Sequence, residues 1–165
     1  MDKDYQEGQQ KGYQEEQQKG YQEEQQKGYQ SESVVYGCIK NVAWLDNLEH
    51  RRNNRAAMLE LPSAESWSLL NREIFAVPEK HCGDLNLSTD VMHFGASYQG
   101  VEHEWQYWLE QFEKLLRKMY WVSATVHLET ELSGLHSFIY EVDGVSHIPN
   151  QSDIKLRCEW ARELV

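Results

Sequence analysis

One stretch of the chain predicts a long amphipathic helix, and this helix limits what the remaining residues can fold into. Between residues 101 and 119, large apolar side chains recur at the three- and four-residue spacing of a single helix face. Glu102 and Glu104 lie near its predicted N-terminus and Arg117 and Lys118 near its C-terminus, which suits the helix dipole. A stripe this broad predicts a core packed against the helix. Its members are Val101, Trp105, Trp108, Leu109, Phe112, Leu115, Leu116 and Met119.

Other segments have the residue pattern of β-strands. Strands are predicted at residues 34–40, 91–98, 121–129 and 135–142. Ser133-Gly134 reads as the turn of a hairpin, and Asp143-Gly144 predicts that residues 145–148 return antiparallel. Residues 154–164 fit either a strand or a helix, and the alternation of Ile154 with later apolar residues favours the strand.

Two further helices are predicted in the first half of the chain. Residues 44–60 have the pattern of a surface helix that ends at Leu61-Pro62, because the residue before proline disfavours helical geometry. A short helix over residues 64–75 follows Ser63 as its N-cap, and residues 76–90 form a loop. Together these elements predict an α+β fold, with an antiparallel sheet and helices packed on one of its faces.

The N-terminal segment is an eight-residue repeat that differs sharply from this pattern. Residues 5–30 read YQEGQQKG, YQEEQQKG, YQEEQQKG and YQ, and they hold no sizeable apolar side chain besides the tyrosines. Such a segment buries too little surface to offset its loss of conformational entropy. We therefore predict a low-complexity tail over residues 1–33, disordered or partly helical, and one globular domain over residues 34–165. The tail is a tyrosine-bearing docking element, a spacer, or a repeat tolerated at an exposed terminus.

Composition restricts the functional classes. The 165 residues carry a net charge of −11, whereas nucleic-acid binders need clustered Lys and Arg. No run of apolar residues is long enough to span a bilayer, and the N-terminus lacks a secretory apolar segment. Three widely spaced cysteines indicate neither a disulfide framework nor a zinc motif. We expect a cytoplasmic protein that binds no nucleic acid, membrane or cofactor.

The predicted hairpin could carry chemistry. A two-residue turn at Ser133-Gly134 would place His127, Glu129, Glu131 and His136 on one sheet face. Two imidazoles and two carboxylates could bind a divalent metal ion or act as general acid and base. The alternative is a solvated sheet face on which these side chains form ordinary cross-strand pairs.

The remaining candidates are aromatic residues and thiols. By position most of the six tryptophans are predicted to be core residues, as are Cys38 and Cys158. Trp121 differs, because the alternation projects it to the polar face with His127. An exposed aromatic side chain ringed by polar groups is a common binding hot spot. Packing beneath a loop is the alternative for this residue.

The segments 94–98, 105–112 and 121–131, taken with the size and acidity of the chain, resemble small acidic bacterial proteins of the immunity type. The resemblance covers residues 34–142. Such proteins are encoded beside polymorphic or contact-dependent toxins and neutralise the cognate toxin by binding it. It therefore implies a non-enzymatic protein whose partner is a toxin domain, for example a basic nuclease. A metal-dependent enzyme that uses the hairpin face and a docking protein that uses its tail are the alternatives.

Overall fold

The strands and helices alternate much as their sequence patterns predict. A computed structural model describes residues 31–42, 48–76, 89–151 and 153–161. Its elements, in chain order, are β1 (Glu32–Val42), α1 (Leu48–Leu59), β2 (Phe75–Ala76), β3 (Thr89–Gln99), α2 (Trp105–Arg117), β4 (Ser123–Thr130), β5 (Gly134–Val142) and β6 (Ile154–Ala161). Short 3₁₀ segments lie at Ala64–Ser66, Arg72–Ile74 and Val101–Glu104.

The strands form a single six-stranded sheet in the order β2-β3-β1-β4-β5-β6, and every pairing is antiparallel. Both helices pack on the same face, which we call the helix-covered face. The opposite face, which no helix of the described residues covers, we call the open face. The predicted α+β architecture is therefore confirmed, and β6 is a strand, as its alternation favours.

The predicted amphipathic helix organises the core. Trp108 and Phe112 of α2 are fully buried and contact Phe94 in β3, while Phe112 also contacts Tyr140 in β5. The first turn, Val101–Glu104, is 3₁₀ rather than α, yet Val101 is buried as the stripe predicts. The helix therefore closes over the central strands, as its stripe requires.

The predicted helix over residues 64–75 is wrong. Two 3₁₀ turns, separated by residues 67–71, take its place, and Phe75 already belongs to β2. Trp67 has a positive φ of 55°, in the left-handed region, which interrupts any helix. Its side chain is 96% exposed, so burial of this tryptophan does not drive a helix either.

The predicted strand over residues 145–148 is also wrong. Asp143 and Gly144 begin a longer connection, and the strand that returns beside β5 is β6. His147 explains the difference, because it is fully buried and its backbone N–H donates to Trp121 O at 2.6 Å. Its Nδ1 lies 2.8 Å from Met119 O. The connection is therefore fastened to the end of α2 instead of continuing the sheet.

The first strand begins at Glu32, two residues before the predicted strand and inside the range assigned to the tail. Ser31 and Ser33 are buried, and each hydroxyl donates to a carboxylate oxygen of Glu102 at 2.6 Å. Glu102 thus joins the start of β1 to the turn before α2. A truncation that keeps this contact must start at Ser31.

These contacts lower the pKa of Glu102. Burial acts to raise it, but the hydrogen bonds from Ser31, Ser33 and the backbone, with the nearby charge of His103, outweigh burial and bring the pKa below 4.5. A depressed carboxyl pKa stabilises the folded state above its unfolded-state value. That contribution is lost as the pH falls through the folded-state pKa.

We therefore expect Glu102→Gln to melt at a lower temperature than the wild type at neutral pH. At about pH 3 the difference in melting temperature between the two proteins should be smaller. Thermal melts at both pH values measure this. Glu104→Gln is the control, because the Glu104 side chain is exposed and forms no hydrogen bond with the described residues. A difference for Glu102→Gln that is the same at both pH values would contradict the assignment.

Candidate functional site

The β4–β5 hairpin has a longer loop and a different register than the predicted two-residue turn. Thr130 pairs with Gly134, so residues 131–133 form a three-residue loop. Thr130 Oγ1 accepts from the Ser133 backbone N–H at 2.9 Å, and Gly134 has a φ of 79°. A three-residue hairpin loop with glycine in a left-handed conformation is a common alternative to the two-residue turn. The predicted register is therefore wrong by an odd number of residues.

An odd shift moves the partners to opposite faces of the sheet. His127 pairs with Ser137, whereas His136 pairs with Leu128 and so lies on the helix-covered face. His127 and Glu129 project from the open face instead, and Glu131 lies exposed in the loop. The predicted cluster of His127, Glu129, Glu131 and His136 is thus split between the two faces. Across the described residues, no three His, Cys, Asp or Glu side chains are placed to hold a metal ion.

Each histidine instead has a local hydroxyl partner. His127 Nδ1 lies 2.8 Å from Ser137 Oγ, and its ring lies 5.0 Å from the ring of Tyr36. His136 Nε2 lies 2.9 Å from Ser133 Oγ, and its ring stacks on Trp160. These contacts favour ordinary cross-strand pairing over a shared metal site.

Trp121 is not the exposed aromatic residue that its alternation predicts. It is fully buried, stacks on His147 with ring centroids 5.0 Å apart, and donates from Nε1 to Leu116 O at 2.9 Å. The connection between β5 and β6 covers it, which is the alternative that the sequence left open. Trp121 is therefore a structural residue and offers no surface to a partner.

The open face has an apolar and aromatic centre. Val34 and Tyr36 of β1 are 39% and 38% exposed, and the half-buried Cys38 lies beside them. The register places Glu129 beside Val34 and His127 beside Tyr36, with Thr125 beside Cys38. The same face continues in β5 through Leu135, Ser137 and Ile139.

Carboxylates without cation partners lie at one end of this face. We call the group of Glu32, Glu129 and Glu131 the acidic corner. The pairing of Ser33 with Thr130 brings the start of β1 next to the end of β4, so the three residues share a corner of the sheet. None of the three forms an ion pair within the described part of the chain, although Ser97 donates to Glu32. Among the described residues, the negative charge of the corner is therefore not compensated by an ion pair.

Two surface clefts lie elsewhere. One, of ≈ 440 Å³, is lined by His103, Glu104, Gln106 and Tyr107 at the start of α2. The other, of ≈ 290 Å³, is lined by Arg117, His147, Asn150, Gln151 and Asp153. Neither cleft is lined by an open-face residue or by a residue of the predicted hairpin cluster.

Sequence reasoning missed Tyr36, which lies at the centre of the open face. The signal was present, since Val35 and Ile39 alternate with Tyr36 and Cys38 along β1 and only the first pair is buried. Two tryptophans also depart from the predicted core, because Trp67 and Trp160 are exposed. Neither thiol of the described residues is a core residue either: Cys38 is half-buried on the open face and Cys158 is exposed.

The helices of the described residues are all too short and too polar to cross a bilayer. Comparison of the chain with protein-family models, curated proteins and solved structures finds no match.

Proposed function

We propose that this chain is an immunity protein that binds a cognate bacterial toxin and neutralises it stoichiometrically, using the open face and its acidic corner. The observation that carries the proposal is the acidic corner itself, where Glu32, Glu129 and Glu131 have no cation within the described part of the chain. A net charge of −11 adds a long-range attraction for a basic partner.

The chemistry of this face suits a protein partner. Toxin domains that cleave nucleic acids present basic clefts to the phosphate backbone, and carboxylates at the rim of an inhibitor complement such a cleft. Tyr36, whose side chain is 38% exposed, supplies an aromatic contact beside the charges. Tyrosine is among the residues that contribute most to binding energy at interfaces. The charges would speed association, and the aromatic centre would slow dissociation.

A charge reversal tests the electrostatic part. Glu129→Lys should slow association with a basic toxin several-fold at low ionic strength, and the difference should shrink as salt is added. Stopped-flow or surface-plasmon measurements with the protein encoded beside this one would provide the rates. Glu65→Lys is the matched control, because it changes the net charge by the same amount at an exposed residue between α1 and β2. Equal effects of the two reversals would contradict a role for the acidic corner.

The aromatic part has its own matched pair. Tyr36→Ala should weaken binding by about 2 kcal/mol, roughly thirtyfold, if this ring lies at the centre of the interface. Tyr107→Ala removes an equally large exposed ring on the outer side of α2 and should leave binding unchanged. If both variants bind the toxin as tightly as the wild type, the open face is excluded as the contact surface.

Co-expression in bacteria distinguishes binding from catalysis. His127→Ala combined with His136→Ala should preserve protection of cells against the toxin, because the two imidazoles lie on opposite faces and share no chemistry. A metal-dependent enzyme would lose activity in this variant, and a chelator would mimic the change. Death of cells that contain normal amounts of the folded double variant would contradict the proposal. A neighbouring gene product that is not toxic would contradict it as well.

A further inference from the structure

The last strand, β6, leaves one edge of the sheet without a partner. It pairs with β5 through Ile154–Ala161, and no strand of the described residues pairs with its other edge. The unpaired backbone groups of such an edge are a template for another strand. Residues that alternate along β6 divide into a charged row on the open face and an apolar row on the helix-covered face.

The apolar row remains exposed because the helices do not extend over this edge. Leu156 is 45% exposed and Trp160 is 58% exposed, and Cys158 between them is exposed as well. Trp160 is nevertheless held in place, since its Nε1 donates to Ser133 O at 2.7 Å and its ring stacks on His136. A large apolar side chain that is both ordered and exposed loses little conformational entropy when a partner covers it.

We propose that β6 pairs antiparallel with β6 of a second copy of this chain, so that two six-stranded sheets join into one continuous sheet. This goes beyond the proposed toxin binding, and its test needs no toxin. The two-fold axis passes through Cys158. In this register Arg157 lies opposite Glu159 of the second copy, and Leu156 lies opposite its Trp160.

The charges of β6 select this register. Side chains keep to their own face only when residues of the same parity pair, since successive residues project to opposite faces. An axis at Arg157 would place the two copies of Arg157 opposite each other, and an axis at Glu159 would do the same with the two copies of Glu159. An axis at Leu156 would place Lys155 opposite Arg157. Like charges directly opposite each other are destabilising in antiparallel pairs. Among the described residues of β6, only the axis at Cys158 gives two pairs of opposite charge and no pair of like charge.

The apolar row favours the same partner. The two copies of Leu156, Cys158 and Trp160 form one strip across the joint, which covers the exposed part of each Trp160 ring. Within one chain Arg157 already forms ion pairs with Glu159 and, at 3.6 Å, with Glu141. In the dimer, Arg157 and Glu159 of one copy lie beside Glu159 and Arg157 of the second copy, and the four side chains form a cluster with no net charge.

Two single charge reversals and their mixture test the proposal on the full chain. Arg157→Glu makes both opposing pairs repulsive, and Glu159→Arg does the same. Each variant alone should therefore have a dimer dissociation constant roughly tenfold or more above that of the wild type. Mixed together, the two variants restore opposite charges at both pairs and should form a mixed dimer. Sedimentation velocity measures all three samples against the wild type, whose chain mass is 19.5 kDa.

Cross-linking locates the axis. Residues directly opposite each other in an antiparallel pair have Cα atoms about 4.5–5.5 Å apart, so a short bis-maleimide should join Cys158 to Cys158. Cys158→Ser should abolish the covalent dimer, and Cys38→Ser should not. A wild type that sediments as a monomer at high micromolar concentration would overturn the proposal. So would a dimer that both reversals leave intact, or cross-linking that depends on Cys38.

Discussion

Replacing Trp108 with alanine should destabilise the fold by ~3–5 kcal/mol, which is the range for loss of a large buried aromatic side chain. Trp108 is fully buried and stacks on Trp105 and Phe112, with ring centroids 5.1 and 5.3 Å away. Its Nε1 also donates to Tyr98 Oη at 3.3 Å. Neighbouring rings cannot collapse into the space without losing these contacts, so a cavity remains.

Urea denaturation and thermal melts measure this loss, which corresponds to roughly 10–20 °C in melting temperature for a domain of this size. Tyr107→Ala is the control, because Tyr107 immediately precedes Trp108 in the same helix and is 54% exposed. Its cost should stay near 0.5 kcal/mol. Similar losses from the two variants would mean that α2 presents a different face to the sheet.

The helix face is the part of the fold that the sequence predicts best. Its apolar period extends over more than four turns, and a helix of that length and amphipathicity has few alternatives. The strands follow from alternation for the same reason. The short elements do not: the two 3₁₀ turns depend on the left-handed backbone of Trp67, which a helical period over residues 64–75 does not indicate. The connection after Asp143 depends on His147 packing against Trp121, a contact between distant residues.

The candidate site shows why register is harder to predict than strands. Alternation assigned Val126 and Leu128 of β4 to the buried face, and the structure confirms both. The partner strand, however, is aligned by the turn, and the turn depends on the hydroxyl of Thr130 and the φ of Gly134. One extra loop residue moves His136 to the other face. A metal or catalytic hypothesis that combines residues of two strands therefore needs the turn geometry before it has physical content.

The acidic corner is predictable in composition but not in place. Net charge predicts an acidic surface, whereas the grouping of Glu32 with Glu129 and Glu131 follows from the pairing of β1 with β4, which are far apart in sequence. The same pairing also places Gly37, at the centre of β1, directly against β4.

Gly37→Ala should destabilise the fold by about 3 kcal/mol or more, because the site has no room for a methyl group. Gly37 faces Phe94 in β3 and Val126 in β4 on the helix-covered face. A Cβ atom there would lie 2.0 Å from the backbone oxygen of Thr125 and 2.7 Å from Cζ of Phe94. The Phe94 ring also contacts Phe75 and Phe112, so it cannot turn aside freely. The carbonyl belongs to β4 and can move only with its strand.

Gly95→Ala provides the matched comparison, since Gly95 pairs with Tyr36 in the adjacent strand but lies on the open face. A Cβ atom at this position would meet its nearest atoms at 3.6 Å, which is ordinary van der Waals contact. Removing a strand glycine without strain should stabilise the fold by roughly 0.5–1 kcal/mol, so the two substitutions should differ in sign. Chemical denaturation of both variants measures the difference. A Gly37→Ala variant as stable as Gly95→Ala would mean that β1 does not approach Thr125 and Phe94 this closely, and that the packing of the central strands is looser than the structure shows.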